Sequence, residues 1–148
     1  MLQTFAAKEQ FLQDGTDIFQ VVSPGGAVYF GMNEKGGLQV KPTLITGDGA
    51  INPRIPGFFI ITKGSAAALT LLAPTAGVDD GLEIEISART AFAHAITTVG
   101  LLLTGTANVN SVTFPTLGAG GTAYLTADNG KWIVAVGGTV GANQFVFA

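Results

Sequence analysis

The carboxylates that could do acid–base chemistry are few. Glu83 and Glu85 stand at positions i and i+2, so both lie on one face of a strand, roughly 7 Å apart. A glycosidase needs two carboxylates, one as the acid and one as the base or nucleophile. A solvated outer strand face explains the same spacing, and no second catalytic feature accompanies the pair. Glycosidase or lyase chemistry is therefore the least favoured of three hypotheses for this sequence, after the two that are described at the end of this section.

The chain has a single histidine, His94, within a run predicted as a strand. Ser65 or Ser87 together with His94 and Asp79 would supply the residue types of a Ser-His-Asp site. Neither serine lies in a nucleophile-elbow pattern, and a catalytic site needs several groups in defined roles. We interpret His94 as a structural or surface residue, and we predict no catalytic residue in this protein.

Metal and cofactor sites are not predicted either. The chain has no cysteine. The pair Asp79-Asp80 precedes Gly81 without the further oxygen ligands that Ca²⁺ prefers, so a turn is the favoured interpretation. The glycine cluster Gly118–Gly121 lacks the lysine and the following helix of a phosphate-binding loop. Basic residues are not clustered, which argues against a nucleic-acid partner.

The low charge of the chain points to assembly. Only 7 Lys+Arg and 10 Asp+Glu occur in 148 residues, which is 11% charged, against about 25% in ordinary soluble domains. Apolar residues still make up 47%, so the charge is missing from the surface and not from the core. A monomer with such a surface has poor colloidal stability. We expect much of the surface to be covered by other copies or by a partner lattice.

Short β-rich runs separated by Gly, Pro, Asn and Asp dominate the sequence and predict an all-β fold. An antiparallel sandwich or barrel, jelly-roll-like, is expected, and Asn129-Gly130 predicts a hairpin with a type I′ turn or a near relative. The weak helical pattern at Thr4–Leu12 is the best helix candidate. The predicted strands are Asp17–Val22, Ala27–Phe30, Phe58–Thr62, Ala67–Leu72, Leu82–Ser87, Ala93–Thr98, Gly100–Thr104, Ser111–Phe114, Thr122–Thr126, Lys131–Val136 and Gln144–Phe147.

Two prolines and two glycines in Gly47–Pro56 predict a linker, since proline removes a backbone donor. It divides an N-terminal arm or small subdomain, residues 1–50, from a C-terminal β-domain, residues 57–148. The first residues lack the uninterrupted apolar stretch of a signal peptide. The apolar runs are too short to span a bilayer, so membrane insertion is not expected.

Residues 57–136 resemble a β-rich domain of tailed-bacteriophage virion proteins, particularly head decoration and head-fibre proteins. The most distinctive stretch is Lys63-Gly64-Ser65-Ala66-Ala67, followed by Leu69-Thr70-Leu71 and by Ala73-Pro74-Thr75-Ala76-Gly77-Val78-Asp79-Asp80-Gly81. The run Thr90–Thr97 and the later Asn129-Gly130-Lys131-Trp132 hairpin follow in the same order. The resemblance implies a non-enzymatic structural protein, typically a homotrimer, bound to the major capsid protein lattice on the outer surface of the head.

Synthesis in the host cytoplasm and attachment to the lattice through residues 1–50 complete this expectation. The alternative is a receptor- or carbohydrate-binding module on a tail or head fibre, with host surface glycans as the partner. Aromatic side chains stack on sugars, and Trp132, Tyr29 and Tyr124 are the candidates. Trp132 could also be an interface anchor, although burial in the core is the favoured interpretation.

Overall fold

A computed structural model of the chain describes residues 17–22, 28–33, 38–54, 58–103, 108–116, 121–137 and 145–148. Within these ranges every regular element is a strand, so the predicted all-β class is confirmed. The helix predicted at Thr4–Leu12 lies outside the described residues. The chain divides into two compact units, Met1–Lys41 and Pro42–Ala148.

The first unit contains a three-stranded antiparallel sheet in the order β1-β2-β3. Its strands are β1 (Asp17–Val22), β2 (Val28–Asn33) and β3 (Leu38–Val40). The register of β1 against β2 shifts twice, as expected where a β-bulge interrupts a ladder. The two strands predicted in this region are therefore present, and β3 is an additional strand that the sequence pattern did not indicate.

The second unit is a β-sandwich of two layers that share one hydrophobic core. Layer 1 runs in the order β4-β6-β8-β11-β12, and layer 2 runs in the order β5-β7-β9-β10-β13. The strands are β4 (Thr43–Ile45), β5 (Gly49–Ile51), β6 (Phe58–Ile61), β7 (Ala68–Leu71), β8 (Glu83–Ala88), β9 (Ala95–Leu103), β10 (Asn108–Thr113), β11 (Thr122–Asp128), β12 (Lys131–Gly137) and β13 (Val146–Phe147).

Strand β9 connects the two layers because it changes its partner along its length. Its first residues pair in parallel with β7, and residues Leu101–Leu103 pair in parallel with β12. Gly100 lies between these stretches with φ +74°, a conformation that glycine adopts without steric cost. The two predicted strands, Ala93–Thr98 and Gly100–Thr104, are thus one strand that passes from one layer to the other.

The pairing within the sandwich is mixed, whereas the sequence analysis expected antiparallel strands throughout. From β4 to β9 the chain alternates between the layers, so each strand lies beside the one two positions earlier. Such neighbours run parallel: β4 with β6, β6 with β8, β5 with β7, and β7 with β9. Strands β8, β11 and β12 are then paired antiparallel, β8 with β11 and β11 with β12. Periodicity reports which residues are buried, and it carries no information about strand direction.

Alternation along the strands builds the core. In β8, Ile84, Ile86 and Ala88 are buried, while the residues between them are exposed or half-buried. Trp132, Phe114 and Ile61 are among the largest fully buried side chains. Both layers contribute to one cluster, and burying apolar surface at about 25 cal/mol per Å² is the main stabilising contribution. The prediction that Trp132 belongs to the core is confirmed.

The division of the chain lies earlier than the Gly47–Pro56 linker suggested. Strand β4 pairs with β6 and strand β5 pairs with β7, so residues 43–51 belong to the second unit. The segment predicted as a linker contains β5. Both strands have only three residues, and a proline occurs near each, which explains why the sequence pattern reads as an irregular connection.

The predicted hairpin is confirmed. Asp128 pairs with Lys131, leaving Asn129 and Gly130 as a two-residue turn between β11 and β12. Both turn residues have positive φ, +47° and +77°. That combination belongs to a type I′ turn, whose twist matches that of the flanking strands.

Candidate functional site

The paired carboxylates lie where the sequence placed them, on the outer face of β8. Glu83 is exposed and Glu85 is half-buried. The hydroxyl of Ser87 donates a hydrogen bond to Oε1 of Glu85 over 3.3 Å. On the neighbouring strand, Tyr124 pairs with Glu85 and is 50% exposed. Both carboxylates project from one open sheet face and do not flank a cleft, so the geometry is that of a solvated surface.

His94 is fully buried, and protein atoms satisfy both of its ring nitrogens. Nδ1 accepts a hydrogen bond from the backbone N–H of Ala67 over 3.1 Å, so Nε2 carries the proton. Nε2 lies 2.9 Å from Oγ1 of Thr90, and that hydroxyl donates to the carbonyl oxygen of Lys63 over 2.8 Å. Burial is the main cause that lowers the pKa of His94 below its usual value. The ring is therefore neutral and links the segment 63–67 to the segment 90–94.

The residue types of a Ser-His-Asp site are not brought together. The hydroxyl of Ser87 lies 2.8 Å from that of Thr122 on β11. Asp79 forms an ion pair with Arg54, in which Nη2 of Arg54 lies 2.8 Å from Oδ2 of Asp79. His94 contacts neither Ser87 nor Asp79 through any of these bonds. Both ring nitrogens of His94 are engaged by Ala67 and Thr90, so among the described residues no Ser-His-Asp triad forms with Ser87 or with the exposed Ser65.

The pair Asp79-Asp80 stabilises turns, as the sequence analysis favoured. Oδ2 of Asp79 accepts the N–H of Thr75 over 2.7 Å, and this bond together with Arg54 lowers the pKa of Asp79. Oδ1 of Asp80 accepts the N–H of Asn129 over 2.9 Å, which ties the loop to the hairpin turn. Within the described ranges, no three His, Asp or Glu side chains converge as a metal site would require.

A shallow groove of about 270 Å³ opens between β4 and β5 at one end of the sandwich. Ile45, Ile51, Phe59 and Leu69 are among its lining residues, and three of these belong to the buried core. Asp48 lies in the turn above it. Such a volume is at the lower end of small-molecule pockets.

Asp48 fixes this turn to the loop that precedes β7. Its Oδ1 accepts a hydrogen bond from Nζ of Lys63 and another from the N–H of Ala68, each over 2.7 Å. These two bonds lower the pKa of Asp48. Oδ1 of Asp48 thus ties the turn between β4 and β5 to the connection between β6 and β7 and to the start of β7.

The surface of the second unit exposes large apolar side chains. Val99 is 83% exposed, Val78 is 75% exposed and Val146 is 61% exposed. Single exposed apolar residues are normal on protein surfaces, and contiguous ones mark contact sites. The other exposed large apolar side chains of the second unit are Leu44, Leu72, Phe92, Tyr124 and Val136. This charge-poor surface, and not a pocket, is the candidate functional feature of the protein.

The three aromatic residues predicted as candidates for sugar binding differ in their exposure to solvent. Trp132 is fully buried and cannot stack on a sugar. Tyr124 is exposed on layer 1 and is available for such a contact. Tyr29 belongs to β2, and its side chain lies outside the described residues.

Comparison with known proteins yielded no match to a family model, to a curated protein or to a solved structure. The resemblance of residues 57–136 to phage head proteins therefore stays a prediction. None of the described residues forms a helix long and apolar enough to cross a membrane.

Sequence reasoning missed the side chains that join distant segments. Asp48 pairs with Lys63, and Arg54 pairs with Asp79, over separations of 15 and 25 residues. The sequence carries only a weak signal for these ion pairs, namely that charged residues are few, so each one has few possible partners of opposite charge. Choosing the pairs requires knowing which strands are neighbours.

Proposed function

We propose that this protein is a bacteriophage capsid decoration protein, which binds the outer surface of the assembled head as a homotrimer and stabilises it without enzymatic activity. Two arguments support the proposal. Residues 57–136 resemble head decoration and head-fibre domains. The observation that carries most weight is the surface of the second unit, where large apolar side chains such as Val99 and Val146 are exposed among few charges.

A decoration protein needs such a surface for a physical reason. It stabilises a shell by mass action, because it binds the assembled lattice better than the separated subunits. Weak contacts repeated over many subunits add through multivalency. An all-β sandwich with exposed uncharged residues provides extended sheet faces for such contacts. The chemistry described above, a neutral buried His94 and carboxylates engaged in turns, adds no reactive group to this role.

The partner in this proposal is the lattice of the major capsid protein. Residues 1–50 are proposed to attach to the lattice, and the C-terminal β-domain is proposed to form the oligomer and face outward. The resulting location is the outer surface of the virion, after synthesis in the host cytoplasm.

Co-sedimentation tests this function. Purified full-length protein is mixed with heads of the tailed phage that encodes it, assembled without the protein, and bound copies are counted after centrifugation. We expect saturable binding at a stoichiometry that matches the capsid symmetry, and a higher melting temperature of the decorated heads. Unsaturable binding equal to that of an unrelated β-sandwich protein would contradict the proposal.

The attachment role of the N-terminal region has its own test. A variant lacking residues 1–41 keeps β4 and β5, which belong to the second unit, whereas a deletion through residue 50 would remove them. We expect the shorter deletion to abolish head binding while the β-domain stays folded. Head binding at full affinity would show that attachment lies elsewhere.

A second candidate function, glycan recognition on a fibre, is favoured by one observation. Tyr124 is 50% exposed and pairs with Glu85, so an aromatic face lies beside a hydrogen-bond acceptor on an open sheet. A glycan array probed with the full chain and with Tyr124→Ala tests it. Binding that disappears in the variant would favour this function, and absence of binding in both would end it.

A further inference from the structure

The central part of one outer face of the sandwich carries no charged side chain, and the ion pair of Asp48 with Lys63 lies at its edge beside Ala68. On layer 2, residues that alternate with the buried ones lie in two rows across the strands. Thr70 pairs with Thr97, and Ala95 pairs with Thr113, so the rows follow from the register. We call this surface the neutral face; its residues are Ala50, Thr70, Thr97 and Ser111 in one row, and Ala68, Ala95, Thr113 and Val146 in the other.

The neutral face is open to solvent in the single chain. Ala50, Ala68, Thr70, Thr97 and Val146 are exposed, and the other three residues are half-buried. Larger apolar side chains continue the alternation at its border. Leu72, two residues beyond Thr70, is 56% exposed, and Val99, two residues beyond Thr97, is 83% exposed.

The opposite outer face, on layer 1, differs in charge. Glu83 and Glu85 point outward from β8, and the exposed Lys131 begins β12. Where two copies meet about a symmetry axis, a residue near the axis meets its own equivalent. Copies of Glu83 and Glu85 would then repel one another, whereas copies of Thr97 or Ala95 would not.

We propose that the neutral face is covered by other copies of this chain, meeting around a symmetry axis, an inference that rests on the proposed oligomeric function. Two copies of this face can meet without repulsion between like charges, because the residues that define it are uncharged. Their small Ala, Thr and Ser side chains allow close approach of the sheets. Leu72, Val99 and Val146 supply the apolar surface to be buried.

The size of the face predicts a weak association between copies. Five strands about 4.8 Å apart, each presenting at most roughly 17 Å of its length, give at most about 400 Å², because β5 and β13 have only three and two residues. Three such faces around one threefold axis would remove at most about 1,200 Å² in total, or about 400 Å² for each pair of copies, below the roughly 1,200 Å² of a specific stable interface. The association is therefore expected to depend on protein concentration.

Light scattering on full-length protein over a range of concentrations tests the proposal. Thr97→Lys places a cation at the centre of the neutral face. Thr126→Lys is the matched control, because Thr126 points outward from layer 1 and pairs with Glu83. We expect the wild type and Thr126→Lys to form the same oligomer. Thr97→Lys should require at least about tenfold more protein, equivalent to 1.4 kcal/mol of association free energy.

Circular dichroism and urea unfolding establish that each variant folds, and Thr70→Lys provides a second variant in the same row if Thr97→Lys fails. A wild type that is monomeric at every concentration overturns the proposal. So does an oligomer that survives both neutral-face variants. An oligomer that dissociates in these variants, from a protein that binds no heads, would sustain this inference while contradicting the capsid function.

Discussion

The indole N–H of Trp132 donates a hydrogen bond to the carbonyl oxygen of Leu72 over 2.9 Å. Trp132 belongs to β12 in layer 1, and Leu72 directly follows β7 in layer 2. The side chain of Trp132 therefore fills the core between the layers and also provides a hydrogen-bond donor for the backbone carbonyl at the end of β7 in the opposite layer. Buried tryptophans need such a partner, since an unpaired indole N–H in the core is costly.

Substituting Trp132 tests the importance of this contact. Trp132→Phe removes the donor, leaves the carbonyl of Leu72 without this bond, and opens a cavity where the second ring lay. We expect a loss of about 2–4 kcal/mol in the free energy of unfolding, measured by urea denaturation. Tyr124→Phe at an exposed position is the control and should change it by less than about 0.5 kcal/mol. A loss as small as that of the control would show that the core adapts.

The buried His94 makes stability depend on pH. Its pKa is lowered in the folded state, mainly by burial, from an ordinary value of 6.5. As the pH falls below 6.5, the unfolded chain takes up a proton that the folded protein does not, so unfolding is favoured. Protonation would also place a hydrogen on Nδ1, which accepts the N–H of Ala67. We expect the melting temperature to fall between pH 7 and pH 5.

His94→Asn isolates this effect, because its amide oxygen can accept the same N–H without titrating. Its melting temperature should be nearly constant over the same range. The engaged carboxylates, Asp48 and Asp79, have lowered pKa values. Their contributions are lost only as the pH falls below about 4, outside this window. An equal pH dependence in both proteins would assign it to another group.

The hydroxyl of Thr98 is a weak point of the core. Thr98 is 4% exposed, and its Oγ1 has no hydrogen-bond partner among the described residues. Thr98→Val replaces it with a methyl group of similar size, so we expect unchanged stability or a gain of up to about 1 kcal/mol in urea unfolding. Thr98→Ser, which keeps the hydroxyl and loses a methyl, should be about 1 kcal/mol less stable. A destabilised valine variant would reveal a partner for the hydroxyl.

The hairpin turn requires glycine at position 130. Its φ of +77° is strained for any residue with a Cβ atom, although a methyl group there would meet its neighbours only at 3.6 Å or more. Gly130→Ala should therefore cost about 1–2 kcal/mol of unfolding free energy through backbone strain alone. Gly64→Ala, where the added Cβ has open space and φ lies outside the left-handed region, is the control. Equal stability of both variants would argue against a type I′ turn.

Much of the architecture could be predicted because its signals are local. Alternation in Leu82–Ser87 identified β8, and Asn129-Gly130 identified the hairpin that follows β11. The short strands β4 and β5 were not predicted, because three residues between prolines and glycines are too few to show the alternation of apolar and polar residues that indicates a strand. Of the surface features, the sequence indicated the low charge but not its distribution.

The sequence by itself determined that this protein is all-β, that its core is built from alternating aliphatic residues, and that its surface is poor in charge. Composition and period depend on residue type and spacing alone. Only the tertiary structure decided that β4 to β9 alternate between two layers, and that Thr70, Thr97 and Ser111 share one uncharged face. Those relations join residues far apart in the chain, and strand register, which no local pattern encodes, sets them.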